Sequence, residues 1–442
     1  MKKKMSEEEL KKKSLKISVK EGCSYSFMDG FGLRYITPYA LALGANNSVI
    51  GLISSLPGLL GNLTQLYSSK LVERVPRKKL VFWSVFLQAI LWLPLLFVGY
   101  LYFFMSLDLF MTSFLLVVTY TAMIVAGAFA GPAWSSWMRD LVPQERLGRY
   151  FGMRNRMVNI FILFCMLAAG WILDYFETGN VFIGFAILFV IAFIGRSFSA
   201  YFFTRQYEPK LKIRDGYYFS FFEFVKKMPS NNYGKFVIFS SLISFSVAIG
   251  SPFLGVYMLK DLSLNYFQYT LICLSSLIAT IIFMPLWGKF VDKYGNINTM
   301  KVTAFFIWLL PIAWFVPSIF NFSSLDLIVV YLFIEEIFSG FIWAGLNLAL
   351  GNYVYCAVTR ERMALCVAYS SLIGAFFAFA GAMLGGFLSS IQGMIFGLKP
   401  LFFVFIVSAF FRFLFVFIML PRIKEVRADS CDFSLKHYVK NF

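Results

Sequence analysis

The chain has 442 residues, of which 59% are hydrophobic, 20% are aromatic and only 14% are charged. Ordinary soluble proteins carry roughly 25% charged residues, so the surface of a soluble chain of this length could not be covered. The composition therefore excludes a set of soluble domains. It indicates an integral membrane protein, because lipid covers most of the surface of such a protein.

Residues that commonly carry catalysis or bind metals are sparse. The single histidine is His437, and the six cysteines form no C-x-x-C pair, so a histidine site, a disulfide framework or a zinc site is not indicated. No nucleotide-binding loop of the G-x-x-x-x-G-K-[ST] type is present, so we do not expect this chain to bind and hydrolyse ATP. We expect no metal and no cofactor; a coupling ion, H+ or Na+, stays open.

Long stretches without Asp, Glu, Lys or Arg recur along the chain, and a helix needs about 20 apolar residues to cross a membrane. Together with segments that carry isolated charges, they predict an all-α membrane protein with twelve transmembrane helices. The predicted spans are 22–43, 48–69, 79–103, 110–137, 155–174, 180–203, 236–259, 266–288, 299–320, 325–350, 363–390 and 399–420.

The basic residues orient these spans. With the N-terminus inside, cytoplasmic segments hold 35 of the 40 Lys and Arg residues, whereas the outside loops hold Lys260 and Lys399. The net charge of +17 is therefore a topology signal, and we expect no nucleic-acid partner. Both termini are predicted to be cytoplasmic. The Lys-rich residues 1–20 are not a cleavable signal peptide, because charges of both signs precede a full-length span.

The polar loops repeat in the two halves of the chain. The loop 69–79 aligns with 288–298 at an offset of 219, while P-Q-E-R at 143–146 aligns with T-R-E-R at 359–362 at an offset of 216. Arg196 and Arg412 are also 216 apart. The three offsets indicate a duplicated six-helix unit. The predicted organisation is a tail 1–21, a bundle 22–204, a central loop 205–235, a bundle 236–420 and a tail 421–442.

One loop motif carries a family resemblance. In the second half it reads Gly288, Asp292, Lys293 and Gly295, which match four of the five defined positions of G-x-x-x-D-R/K-x-G-R/K. With the twelve spans and the duplication, the chain resembles the major facilitator superfamily (MFS) of transporters. The segment 131–152 also resembles a prokaryotic subgroup with no single defined substrate.

In the first half the motif is degenerate, with Ser69, Glu73 and Pro76 in place of glycine, aspartate and glycine. The resemblance implies that both loops latch the cytoplasmic side. The alternative is that they merely mark the positive-inside rule. The implied cytoplasmic gate consists of Ser69, Glu73, Arg74, Arg77, Gly288, Asp292, Lys293 and Gly295.

Charges inside spans are costly and are therefore functional candidates. Arg196 and Arg412 match each other across the repeat, so we interpret them as structural or as snorkelling towards the membrane surface. Asp29 and Arg34 in span one have no charged counterpart, and neither do the two glutamates of span ten. Because Asp29 and Arg34 are five residues apart, we expect them on different helix faces.

In span ten, Glu336, Gly340, Trp343 and Asn347 follow helical spacing and form a polar and aromatic stripe, whereas Glu335 lies on another face. The family resemblance implies that spans one, four, seven and ten line a central cavity. A buried carboxyl can hold a proton near neutral pH, as a proton carrier must. The predicted substrate and coupling residues are Asp29, Arg34, Glu335, Glu336, Trp343 and Asn347. A permanent structural pair between Arg34 and a glutamate is the alternative.

The sequence therefore predicts a secondary active transporter that moves a small solute by rocker-switch alternating access, with proton coupling as an option. We expect a multi-pass, monomeric protein of the plasma membrane. An intramembrane enzyme is disfavoured because carboxylates are sparse and no nucleophile–base cluster is evident. A non-transporting sensor or scaffold on the same fold is the alternative. Three acids against one arginine favour a cationic or zwitterionic solute.

Overall fold

The computed structural model describes residues 6–72, 74–143, 147–209, 219–320, 324–358, 360–395 and 397–426. Within these ranges the chain is helical, apart from one isolated bridge between Ile395 and Leu398. In the first half, the helices are α1 (Glu7–Phe31), α2 (Ile36–Ala42), α3 (Asn47–Leu71), α4 (Arg77–Ile90), α5 (Trp92–Met105), α6 (Leu109–Ala128), α7 (Ala130–Leu141), α8 (Leu147–Glu177) and α9 (Val181–Thr204).

The central segment contains α10 (Phe221–Lys227), and the remaining helices belong to the second half. They are α11 (Asn232–Gly250), α12 (Leu254–Val256), α13 (Tyr266–Tyr294), α14 (Asn296–Ile307), α15 (Leu310–Ala313), α16 (Val316–Ile319), α17 (Leu325–Ala357), α18 (Arg360–Ser389) and α19 (Pro400–Met419).

Eleven stretches of the described residues are long and apolar enough to cross a membrane. The predicted first span is not among them. There, α1 begins at Glu7 and continues through residues that we expected as a separate tail, so its first half is rich in lysine. The helix then ends at Gly32 and resumes as a 3₁₀ turn and the short helix α2. A polar start and an interrupted end remove the continuous apolar stretch.

The chain divides into two compact units. The first unit comprises residues 1–215 and 255–270, and the second comprises 216–254 and 271–442. Segment 255–270, which we predicted to belong to the second bundle, is thus grouped with the first. In the first unit, α1 packs against α8 and α9, and α4 packs against α7 and α9. In the second unit, α11 packs against α18 and α19, and α14 packs against α17.

The two repeated loops differ at their turn residue. Gly295, between α13 and α14, has φ 85° and ψ 172°, a backbone conformation that is essentially restricted to glycine. Its counterpart Pro76 has φ −53° and ψ 128°, which is ordinary for proline. The second loop therefore requires glycine, and the first loop does not.

Replacing Gly295 with alanine is expected to destabilise the protein by about 1–3 kcal/mol, because a Cβ strains this conformation. Gly288→Ala is the control, since this glycine lies inside α13 and an added Cβ meets no atom within 4 Å. Thermal unfolding in detergent should show a lower midpoint for Gly295→Ala alone. Equal midpoints for both variants would contradict the interpretation.

Candidate functional site

Asp29 and Arg34 form an ion pair in the first unit. The Arg34 Nη2 atom lies 3.4 Å from the Asp29 Oδ2 atom, with side chains 46% and 13% exposed. The expectation that their spacing separates them is wrong. It assumed a continuous α-helix, whereas α1 ends at Phe31 and residues 33–35 form a tighter 3₁₀ turn.

Packing on both sides fixes this helix break. A Cβ on Gly32 would lie 2.3 Å from the buried Trp92 ring, so the indole packs directly on the backbone. The Tyr35 hydroxyl donates to the Met166 carbonyl oxygen at 2.8 Å. Arg34 is thereby carried on a constrained turn next to Asp29, and its guanidinium remains accessible.

A cavity of about 280 Å³ adjoins the break. This volume suits a small molecule, and three hydroxyl groups, those of Thr37, Ser54 and Tyr120, contribute to the wall beside apolar side chains. Tyr120, in this wall, lies within electrostatic range of Asp29. The lining residues are Leu33, Ile36 and Thr37 from the break, Ile53, Ser54, Pro57 and Gly58 from α3, and Tyr120 and Ile124 from α6.

The two glutamates of α17 have different surroundings within the second unit. Glu335 is buried, at 7% exposed, whereas Glu336 is half-buried and faces the Ser276 hydroxyl. On the Glu336 stripe, Trp343 is half-buried and Asn347 is exposed. Gly340 instead lies at a helix contact, where an added Cβ would be 2.3 Å from the Ser276 carbonyl oxygen.

The predicted gate residue Arg77 is the centre of a cluster in the first unit. Its side chain is 1% exposed, and its Nη1 atom lies 2.6 Å from the Asp140 Oδ2 atom. The Nε atom lies 3.6 Å from Glu208 Oε1, and Nη2 donates to the Pro209 carbonyl oxygen at 2.7 Å. We call Arg77, Asp140 and Glu208 the Arg77 cluster. Our sequence analysis missed both acids, although they lie at the end of α7 and just after α9.

The second half repeats this cluster without an ion pair among its counterparts. Asn296 replaces Arg77 at the offset of 219, and Cys356 replaces Asp140 at the offset of 216. The Asn296 Nδ2 atom donates to the Cys356 Sγ atom at 3.9 Å. Glu425 Oε2 accepts from the Ile297 amide at 2.8 Å and so caps α14. The half with the degenerate motif therefore holds the charged cluster.

The other predicted gate residues have diverse positions. Arg74 is exposed, while Lys293 lies over the Tyr294 ring at 5.1 Å. Glu73 lies outside the described residues. Ser69 lies in α3, Gly288 and Asp292 lie in α13, and Gly295 is the turn residue described above.

Arg196 is buried in a polar network of the first unit and does not snorkel. Its Nε atom donates to Gln88 Oε1 at 2.9 Å, and its Nη1 atom donates to Ser199 Oγ at 3.2 Å. Ser199 donates in turn to Glu21 Oε1 at 2.8 Å, and Glu21 Oε2 pairs with Arg154 at 2.8 Å. The network supports the structural interpretation of Arg196. Glu21 and Arg154 were not among the predicted residues.

The end of α8 contacts the start of α13 within the first unit. Asp174 Oδ1 accepts from the Phe267 amide at 3.1 Å, so it satisfies a free amide at the start of α13. One turn away, a Cβ on Gly170 would lie 2.7 Å from Thr270 Oγ1. The Tyr35 hydroxyl lies 2.6 Å from this Thr270 oxygen. We call these residues the α8–α13 contact.

Removing the Arg77 guanidinium should destabilise the first unit. For Arg77→Gln we expect a loss of about 1–3 kcal/mol, because the buried guanidinium loses its charged partners, whereas Asp140 and Glu208 are 36% and 23% exposed and can be hydrated. Arg74→Gln, at an exposed position three residues away, should change stability by less than about 0.5 kcal/mol. Thermal unfolding of both variants in detergent is the measurement. Similar midpoints for the two variants would show that the Arg77 cluster contributes little.

Among the residues described here, no group of three or more His, Cys, Asp and Glu side chains could hold a metal ion. The sequence profile described as Major Facilitator Superfamily matches residues 23–365. No curated protein matches the chain by sequence.

Several solved structures share the fold at low sequence identity. A bacterial homologue of the human lysosomal transporter Spinster, inward-facing and unoccupied, is 14% identical with a TM-score of 0.64, and the match covers 95% of this chain and 99% of that one. The nucleoside transporter NupG is 15% identical, with a TM-score of 0.62 and coverage of 94% and 99%. An inward-facing bacterial homologue of the iron transporter ferroportin is 14% identical, with a TM-score of 0.65 and coverage of 94% and 99%.

Proposed function

This chain belongs to the Major Facilitator Superfamily, and from that membership we propose that it is a secondary active transporter whose first unit recognises a small solute at Asp29 and Arg34. It is a multi-pass membrane transporter that works by alternating access, and it is not an enzyme. The proposal adds the recognition residues, the class of solute and the source of energy.

The observation that carries the proposal is the Asp29–Arg34 pair beside the cavity. The pair is long, at 3.4 Å, and the Arg34 side chain is half exposed. An incoming carboxylate can therefore bind the guanidinium, while an ammonium group can bind Asp29. The cavity of about 280 Å³ has room for a small molecule. We infer a small zwitterionic or cationic solute.

Glu336 is proposed as a further recognition or coupling residue of the second unit. It is half-buried on α17, and its stripe continues through Trp343 to the exposed Asn347. A carboxyl in such surroundings can bind a cationic group or a coupling ion, H+ or Na+. No resident cofactor is proposed.

The membrane arrangement is proposed from the eleven recognised stretches and the charge bias. The second half of α1 and α2, residues 22–43, would form a further, interrupted crossing and make the total twelve. An even number of crossings places both termini on one side, and the basic loops favour the cytoplasm. We propose a monomer in the plasma membrane without a nucleic-acid partner.

A ligand screen by thermal shift tests solute recognition, because a ligand that binds the folded state raises its melting temperature. Organic cations, amino acids, sugars and organic acids form the panel. We expect amino acids or organic cations to raise the melting temperature, and Asp29→Asn and Arg34→Gln to abolish the shift. Asp326→Asn, at an exposed position in α17, is the control and should keep it.

A shift that survives both first-unit variants would move recognition away from Asp29 and Arg34. A protein that binds no member of the panel would favour the sensor alternative.

We also propose that the α8–α13 contact closes the outer side of the first unit. It lies at the ends of α8 and α13 that the predicted topology places outside. The Asp174 carboxylate bonds the Phe267 amide, and Gly170 allows the backbones to approach. Separation of these two helix ends would have to break the contact, so its strength biases the equilibrium between the closed and open arrangements of this side.

Asp174→Ala should loosen this closure, because it removes the acceptor for the Phe267 amide. In a cysteine-free background carrying Thr37→Cys in the cavity wall, a membrane-impermeant thiol reagent added outside should then react several-fold faster. Glu177→Ala, at an exposed position one turn further along α8, is the control and should not change the rate. Unchanged labelling in Asp174→Ala would overturn the gate assignment.

A further inference from the structure

The two repeat-related arginines have different surroundings. In the first unit, both Gln88 and Ser199 bind the Arg196 guanidinium. In the second unit, the Arg412 Nη1 atom donates to the Ile307 carbonyl oxygen at 3.1 Å, at the position that corresponds to Gln88. The buried Arg412 Nε atom has no hydrogen-bond partner among the described residues. Arg196 therefore has two polar side chains as partners, whereas Arg412 has one nitrogen atom without a hydrogen bond in the described part of the chain.

Glu335 lies within electrostatic range of Arg412, as Glu21 does of Arg196 in the first unit. It is 7% exposed, and neither of its carboxyl oxygens has a hydrogen-bond partner within the described part of the chain. Arg412 lies within electrostatic range of Glu335, but no ion pair within 4 Å joins them in the described residues. Both oxygens of Glu21, by contrast, are bonded, to Ser199 and to Arg154.

Few other charged or titratable groups act on Glu335. Its own helix contributes Glu336 and Tyr331, and α19 contributes Arg412. From α14, the Ile307 carbonyl oxygen is occupied by Arg412. The hydroxyl of Ser276, in α13, hydrogen-bonds to Glu336. Glu335 is thus a buried carboxyl with Glu336 beside it in the chain and with the cation Arg412 within electrostatic range.

An ionised carboxylate in an apolar interior without partners costs several kcal/mol, and such a group takes up a proton instead. If the proton leaves, the carboxylate gains by moving towards the unpartnered Arg412 Nε atom. Two arrangements are then available, a neutral Glu335 apart from Arg412 and an ionised Glu335 paired with it. A site with two such arrangements can couple proton binding to a conformational change.

We propose that Glu335 is a buried proton-binding site inside the second unit and that Arg412 is the counter-ion of its ionised form. The ligand is H+ itself, and the site is distinct from the solute-recognition residues Asp29 and Arg34. The inference rests on the proposed transport function and supplies its coupling ion. No covalent step is involved, since one proton is taken up and released.

Infrared spectroscopy of the purified protein, recorded from acidic to alkaline pH, detects the carbonyl stretch of a protonated carboxyl without any solute. We expect the wild type to keep such a band above about pH 6, where ordinary exposed Asp and Glu side chains are already ionised, and to lose it at higher pH. Glu335→Gln should remove this band, and Glu335→Asp should shift it. Glu21→Gln is the matched control and should leave it unchanged. Because the wild type is measured directly, a poorly folded variant does not prevent a result.

The thermal midpoint provides a second readout. At acidic pH, Glu335→Gln should keep the wild-type midpoint, because a protonated glutamate and a glutamine are both neutral. Glu21→Gln should lower the midpoint, because it breaks the ion pair with Arg154. A wild type that has lost the band by about pH 6, or a band removed by Glu336→Gln and kept in Glu335→Gln, would overturn the proposal. A band assigned to Glu335 in a protein that binds no solute would support this site and count against the proposed function.

Discussion

The cost of holding a charge away from water determines where this chain keeps its ionisable groups. Arg77 is almost fully buried and is surrounded by Asp140, Glu208 and a backbone carbonyl oxygen. Such pairing offsets a desolvation cost of several kcal/mol per ion. Asp29 and Arg34 keep partial contact with the surroundings instead and form a looser pair. The anchor Arg77 and the candidate binding pair therefore differ in burial and in the number of charged partners.

Positions that correspond by the offsets of 216 and 219 carry different chemistry in the two halves. Arg77 and Asp140 of the first half correspond to Asn296 and Cys356 of the second, and a charged contact is replaced by an uncharged one. At Arg196 and Arg412 both halves keep the charge, but the Arg412 Nε atom has no hydrogen-bond partner among the described residues. Alternating access does not require equivalent halves, because one half can carry a rigid anchor while the other carries a titrating group.

Local pattern explains which sequence-based expectations hold and which do not. Eleven apolar helices could be located from charge-free segments of the sequence. The length and hydrophobicity of such a helix depend only on its own residues. The first span differed because α1 ends at Gly32, and no proline in the sequence marks this end. This position requires glycine because Trp92, from another helix, packs directly on its backbone. The pairing of Asp29 with Arg34 was missed for the same reason, because it depends on the break.

By itself, the sequence determined that this is a multi-pass helical membrane protein and which family it belongs to, and it showed loop motifs that recur in the two halves. Composition, charge bias and loop motifs are properties of short segments, so they can be read directly. The tertiary structure decided which charges have partners. Glu21 pairs with Arg154 across 133 positions, and Arg77 meets Asp140 across 63. Contacts between distant helices depend on how those helices pack, and no local pattern encodes that.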